Sequence, residues 1–277
     1  MMTPDQKLAF IARSLQDAGI ETLVMGGHAV RYYGIDRNTA DFDLVTSVAT
    51  PDELRLRLPR IEALGPVREE PVWRSRDFAR FEIGRLPDGR EEWLEFWIRN
   101  HLLGDFKSLN ARAEVGIYGG GQVAFLSIAD LMRSKETQRE SDWRDIALLE
   151  EIQDARHHAA IASKPDGLLR LLSHLRSRRG MDRAIEKNLL DDPDTIIQAV
   201  ATSAHPVTYA FLLPLAGAAA PAALSVSVEP TSLAALSTVD FGSPKHFALI
   251  EICRRAYKRH AMEIDRADKQ AKLDQNR

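Results

Sequence analysis

At 277 residues, the chain is long enough for one large domain or two ordinary ones, and its 44% hydrophobic and 28% charged residues are the proportions of a soluble globular protein. A formal charge of −3 excludes a wholesale basic coat for nucleic acid but permits local basic patches. Cys253 is the only cysteine, which excludes an intrachain disulfide and a cysteine-based zinc site and fits a reducing, cytoplasmic setting.

Thr3-Pro4-Asp5-Gln6 offers an N-cap threonine, a proline at the first helical position and a glutamine that completes a capping box. Leu8, Ile11, Ala12 and Leu15 follow at helical spacing until Gly19, so an amphipathic helix is expected rather than a cleavable signal peptide. Ile20 to Met25 then reads as a short buried strand. Gly26-Gly27 lets the backbone turn tightly and approach another molecule, and His28 to Tyr33 suits a short helix whose first N–H groups have no partner of their own.

After the loop Gly34 to Ala40, Asp41-Phe42-Asp43-Leu44-Val45 reads as a second strand. Alternate residues share a strand face, so Asp41 and Asp43 point one way while Phe42 and Leu44 face the core. Two carboxylates roughly 4 Å apart at an effective dielectric of ~20 repel by about 4 kcal/mol, so one protonates or a cation binds. Hard oxygens beside a glycine-floored anion site suit Mg²⁺, which takes one or two carboxylates plus substrate phosphates.

Thr50-Pro51 opens a further helix through about Arg60. Trp73 to Ile83 and Glu92 to Ile98 look like strands joined by the turn Leu86-Pro87-Asp88-Gly89-Arg90. In the second, Trp93, Glu95 and Trp97 share one face, and Leu94, Phe96 and Ile98 the other. Val115 to Tyr118 and Gln122 to Phe125 form a hairpin on Gly119-Gly120-Gly121. Ser127 then caps a helix that carries Lys135, Arg139 and Asp142 on one face if it is continuous.

Beyond Glu150 the pattern is helical, apart from an irregular stretch around His205 to Ser243, and the last helix starts at about Pro244. The apolar run Val207 to Ser225 is broken by Pro214 and Pro221, so a pair of short buried helices or a partner surface is expected there rather than a membrane span. The expected fold is therefore α/β (α+β): a small mixed sheet backed by helices in residues 1–155, then a mostly helical domain in residues 156–277.

The unit from Ile20 to Thr46 resembles the signature of the DNA polymerase β-type nucleotidyltransferase superfamily: Gly-Gly, a helix, then paired acids on the next strand. The spelling Arg37-x-Thr39-x-Asp41-x-Asp43-Leu44 looks most like its bacterial stand-alone branch, which includes AbiEii-like toxins and, more distantly, antibiotic nucleotidyltransferases. The resemblance implies a metal-dependent enzyme that moves an NMP from an NTP, such as ATP, to an acceptor and releases pyrophosphate. It implies Mg²⁺, or alternatively Mn²⁺, on Asp41, Asp43 and a third acid, for which Glu95 is the candidate although the family more often has Asp there. Glu95 could instead serve as a base, or be a partly exposed strand residue.

The same resemblance places Gly26, Gly27, Arg37, Thr39 and Lys135 at the nucleotide and makes Asp142 a downstream acid that orients Lys135 or deprotonates an acceptor hydroxyl. Asp145 is the alternative to Asp142. The bland alternatives are a helix face held by charge pairs for Lys135 and Asp142, a salt bridge to Asp41 for Arg37, a hydrogen bond within the loop for Thr39, and a helix-face position for the neutral His28. RNA, including tRNA, or a protein is the expected acceptor, with an antitoxin as partner if the chain is a toxin and with no membrane. Two basic clusters, Arg176 to Lys187 and Arg254 to Arg259, are solvated faces or sites for a polyanion. A small-molecule acceptor and a non-catalytic nucleotide- or partner-binding module are the rival readings.

Overall fold

The computed structural model describes residues 2–71, 75–86, 89–164, 166–203, 205–217 and 230–275. Of the expected elements, Trp73 at the start of the first long strand, Pro87-Asp88 in its turn, and the apolar residues 218–225 lie outside these. The chain divides into two compact units, Met1–Lys135 and Glu136–Arg277. The division falls before the expected boundary near residue 155, because one helix, Glu140–Ala160, runs unbroken through that point.

The first unit is built on a seven-stranded mixed sheet. Its strands are β1 (Thr22–Val24), β2 (Phe42–Thr46), β3 (Arg68–Glu69), β4 (Phe78–Arg85), β5 (Glu91–Trp97), β6 (Glu114–Tyr118) and β7 (Gly121–Phe125), in the order β3-β4-β5-β2-β1-β7-β6. β2 runs parallel to β5 and β1 runs parallel to β7, while the other neighbours are antiparallel. Helix α1 (Pro4–Asp17) begins with the expected capping box, in which the Thr3 hydroxyl accepts from the Gln6 amide at 3.2 Å and Gln6 Oε1 accepts from the Thr3 amide at 2.9 Å. Its Leu8, Ile11 and Leu15 are buried.

Register separates the two faces of the sheet. Val24, Leu44, Phe96 and Ala79 line up across β1, β2, β5 and β4 and are buried, as are Phe42 with Leu94, and Phe125 beside Val24. Helix α2 (Gly26–Tyr32) packs on this face: His28 stacks on Phe42 at 5.2 Å between ring centroids, and Tyr32 stacks on Phe125 at 4.0 Å. The opposite face carries Asp43, Glu95 and Arg80 in one transverse line, with Trp93 and Trp97 on either side of Glu95 along β5. Period-two alternation in β5 thus produces the predicted partition, with Leu94 and Phe96 buried and Trp93, Glu95 and Trp97 half-buried. At the sheet's end, the edge strand β6 leaves Val115 and Ile117 exposed.

The predicted helix after Thr50 is α3 (Pro51–Arg57), followed by a 3₁₀ turn to Arg60. A short α4 (Phe106–Asn110) precedes β6, and α5 (Ile128–Ser134) starts at Ser127, whose hydroxyl accepts from the Asp130 amide at 3.1 Å. Here expectation and structure part: the helix does not continue through Lys135 to Asp142. Lys135 is the C-cap of α5, and α6 (Glu140–Ala160) starts anew. In the second unit the Gln138 amide donates at 3.1 Å to Asp265, far along the chain, and Thr137 and Arg139 hold Asp142. Local periodicity contains no trace of that long-range acceptor.

The second unit is helical: α6 is followed by α7 (Gly167–His174), α8 (Arg178–Glu186), α9 (Pro193–Thr202), α10 (Pro206–Ala216), α11 (Pro230–Leu236) and α12 (Pro244–Gln275). The stretch read as irregular between His205 and Ser243 therefore contains two helices. α10 is apolar all round because it is the middle of this unit's core, with Tyr209, Ala210 and Phe211 fully buried against Leu171, Leu172, Ile250 and Cys253. Its polar Thr208 is satisfied by the Leu175 carbonyl at 2.6 Å. Among the described residues, no helix is long and apolar enough to cross a membrane.

Candidate active site

The site begins with two glycines that are the first residues of α2, not a turn before it. Gly26 has φ +63°, and a Cβ there would lie 1.9 Å from Asp43 Oδ2 and 2.5 Å from its Cγ. A Cβ on Gly27 would lie 2.5 Å from Thr39 Cβ. Only glycine lets the Asp43 carboxylate and the Thr39 side chain rest on the backbone that opens α2. The Met25 amide donates to the Asp43 carbonyl at 2.9 Å, which ties the end of β1 to β2 beside this floor. Gly26, Gly27, Thr39 and Asp43 are thus brought together, with Asp41 two residues before Asp43 and half-buried.

Glu95 stands opposite Asp43 in the parallel β2–β5 register and opposite Arg80 in the antiparallel β4–β5 register. Burial pushes its carboxyl up to about 8, and the negative charge of Asp43, a hydrogen bond with Asp43 and the charge of Asp41 add to this, while Arg80 works against it. Glu95 is consequently protonated at neutral pH. Arg80 Nε lies 3.1 Å from Glu95 Oε1 off the N–H direction, a charge contact without a hydrogen bond. The guanidinium lies over the Trp93 ring, 4.1 Å from its centroid. Arg80 escaped the sequence reading because its role depends on the pairing of β4 with β5, although its alternation with Phe78 and Glu82 was visible.

All candidate donors are hard carboxylate oxygens, the set that suits Mg²⁺. Among the described residues, no group of three or more His, Cys, Asp or Glu side chains is placed to hold a metal ion. An ion held by Asp41 and Asp43 beside the glycine floor would therefore have to draw its other ligands from phosphate and water.

His28 is a core residue of α2. It is buried, its Nδ1 lies 3.1 Å from the Tyr118 hydroxyl, and that hydroxyl donates to Asp5 Oδ1 at 2.7 Å. Burial lowers its value to about 4, with the Arg31 charge acting the same way and Asp5 opposing, so the ring is neutral at pH 7. Arg37 lies in the loop between α2 and β2, where its carbonyl accepts from Arg31 at 3.4 Å.

Lys135 is buried at the C-cap of α5, where a cation suits the helix end. Asp142 lies in the first turn of α6 in the second unit. It is fully buried, with one oxygen accepting from Thr137 at 2.6 Å and from Arg139 Nε at 2.8 Å. Asp145 is also buried in α6. Members of both basic clusters are engaged within their own unit: Arg178 with Asp182, Arg179 with Glu151, Arg254 with Glu150, and Lys258 with Glu140.

No family model matches the chain, and no curated protein does. Among solved structures, an antigenic nucleotidyltransferase-like protein from Paracoccidioides brasiliensis aligns at 20% identity over 58% of this chain and 88% of its own, with a TM-score of 0.36. The lincosamide antibiotic adenylyltransferase LnuA, solved with lincomycin bound, aligns at 15% identity over 55% of this chain and 98% of its own, with a TM-score of 0.39. JHP933 from Helicobacter pylori aligns at 13% identity over the full length of both chains, with a TM-score of 0.37. At these scores the likenesses carry no inference about this chain.

Proposed function

We propose that the chain is a metal-dependent nucleotidyltransferase. The observation that carries this reading is the seating of Asp43 on Gly26, with Glu95 in register beside it and Asp41 one alternation away. Asp41 and Asp43, joined by Glu95 after loss of its proton, would hold Mg²⁺ or Mn²⁺. The bound ion would sharpen the acceptor hydroxyl as a nucleophile and offset charge on the leaving group. The backbone at Gly26 and Gly27, with Thr39 against Gly27, is assigned to the triphosphate together with Arg37 of the following loop, and Lys135 to its charge.

In the reaction, the acceptor oxygen bonds to the α-phosphorus and loses its proton. The bond to the bridging oxygen breaks, and pyrophosphate leaves with that electron pair. RNA or protein is the proposed acceptor, ATP is a candidate donor, and a toxin role with an antitoxin partner belongs to the same proposal. The test is incubation of the purified protein with each α-labelled NTP, Mg²⁺ and total cell extract, followed by identification of the labelled macromolecule. Asp43→Ala should abolish labelling, and an Asp43→Ala protein that labels as wild type refutes the reading.

A further inference from the structure

Glu95 sits at the centre of a cross. Along β5 it is flanked by Trp93 and Trp97 on the same face, and across the sheet it is flanked by Asp43 on β2 and Arg80 on β4. Arg80 lies over the Trp93 ring, and Phe78 leans on Trp97 with ring centroids 4.7 Å apart. All four side chains are half-buried. Trp97 Nε1 is out of water and has no hydrogen-bond partner among the described residues.

The strand order gives this aromatic patch a direction. β2 carries Asp43 between β1, which leads into the Gly26-Gly27 floor, and β5, which carries the tryptophans. The proposed triphosphate site and the aromatic patch therefore lie on opposite sides of the paired acids. Phosphoryl transfer is in line, so the attacking group approaches opposite the leaving pyrophosphate. A flat, π-faced group is what an indole beside a guanidinium receives, and among the proposed acceptors the nucleobase has that shape.

We propose that Trp93 and Trp97, with Arg80, form the platform on which the terminal nucleobase of a single-stranded RNA acceptor stacks beside the paired acids. This rests on the transferase reading for its purpose, but binding can be measured without turnover. The probe is a single-stranded hexaribonucleotide, followed by quenching of tryptophan emission, with inorganic tripolyphosphate as competitor. The wild type should bind the hexanucleotide, and tripolyphosphate should not displace it fully. Trp93→Leu should weaken binding by about tenfold or more, and Trp93→Tyr should restore most of it.

Equal hexanucleotide binding by Trp93→Leu, Trp97→Leu and wild type overturns the platform, as does complete displacement by tripolyphosphate. The circular dichroism of Trp93→Tyr guards against a mere folding defect. Asp43→Ala separates the two ideas. If it binds the hexanucleotide but loses labelling, both stand. If it still labels while Trp93→Leu binds poorly, the platform survives and the metal-site assignment falls.

Discussion

Replacing Glu95 by glutamine isolates the physics of the site. The carboxyl is held at about 8 inside the fold against about 4.5 in an unfolded chain, so ionising it in place costs on the order of 4 kcal/mol more than in water. Its side chain is only 16% exposed, so solvent relieves little of this. The folded state binds the extra proton. Stability from this group is therefore fully present below about pH 4.5 and is lost as pH rises through about 8. Glutamine keeps the shape and a donor toward Asp43 but never ionises, while losing the Arg80 charge contact offsets part of the gain.

Glu95→Gln should therefore melt close to wild type at pH 5 and about 5 to 15 °C above it at pH 8.5 in chelator, a gap of about 2 to 4 kcal/mol. Mg²⁺ should narrow the gap by stabilising the wild type more than the variant, which keeps Asp41 and Asp43 but lacks the third carboxylate, with release of a proton from the wild type near neutral pH. The assay is thermal melting by circular dichroism between pH 5 and 8.5, with and without Mg²⁺. A melting difference that does not change with pH would refute the reasoning.

Three further outcomes follow from the same geometry. Gly26→Ala puts a Cβ against the Asp43 carboxylate at a positive φ, so it should lower stability by about 1 to 3 kcal/mol in denaturant melts and abolish labelling. His28 is held at about 4 by burial, so its neutral form is favoured in the fold and stability should fall as pH drops from about 6.5 to 4. His28→Gln should remove about 3 kcal/mol of that acid sensitivity, which pH-dependent urea titrations can read. In the second unit, Asp154 accepts from the Ser177 amide and hydroxyl at 2.8 and 2.7 Å and from the Arg176 amide at 3.2 Å. Asp154→Ala leaves buried donors unpaired and should cost about 2 to 4 kcal/mol, measured by urea unfolding of the full chain.

The elements carrying the candidate site were legible where residues a few positions apart decide them. The capping box at Thr3, the alternation in β5 and the Gly-Gly preceding Asp-x-Asp needed no distant partner. The break after Lys135 was not legible, because Asp265 supplies the acceptor from the far end of the chain. Nor was Arg80, whose neighbour is set by strand register. The glycines were read as a tight turn, and Gly26 does have a positive φ; what the sequence could not show is that they also make room for two side chains arriving from later in the chain. α10 is the first of the short buried helices expected in the apolar run from Val207, although a helix buried on every side has no polar stripe to fix its period.

The parallel pairing of β2 with β5 also bears on the order of folding. Asp43 and Glu95 become neighbours only after the whole excursion through α3, β3 and β4 has closed, whereas β1 and β2 are joined by α2 and one loop. Long closures form late because their entropy cost comes before their reward. The acidic pocket should thus assemble after the β1–β2 pairing, so a metal ion would act as a latch on strands already joined rather than as a seed for their joining.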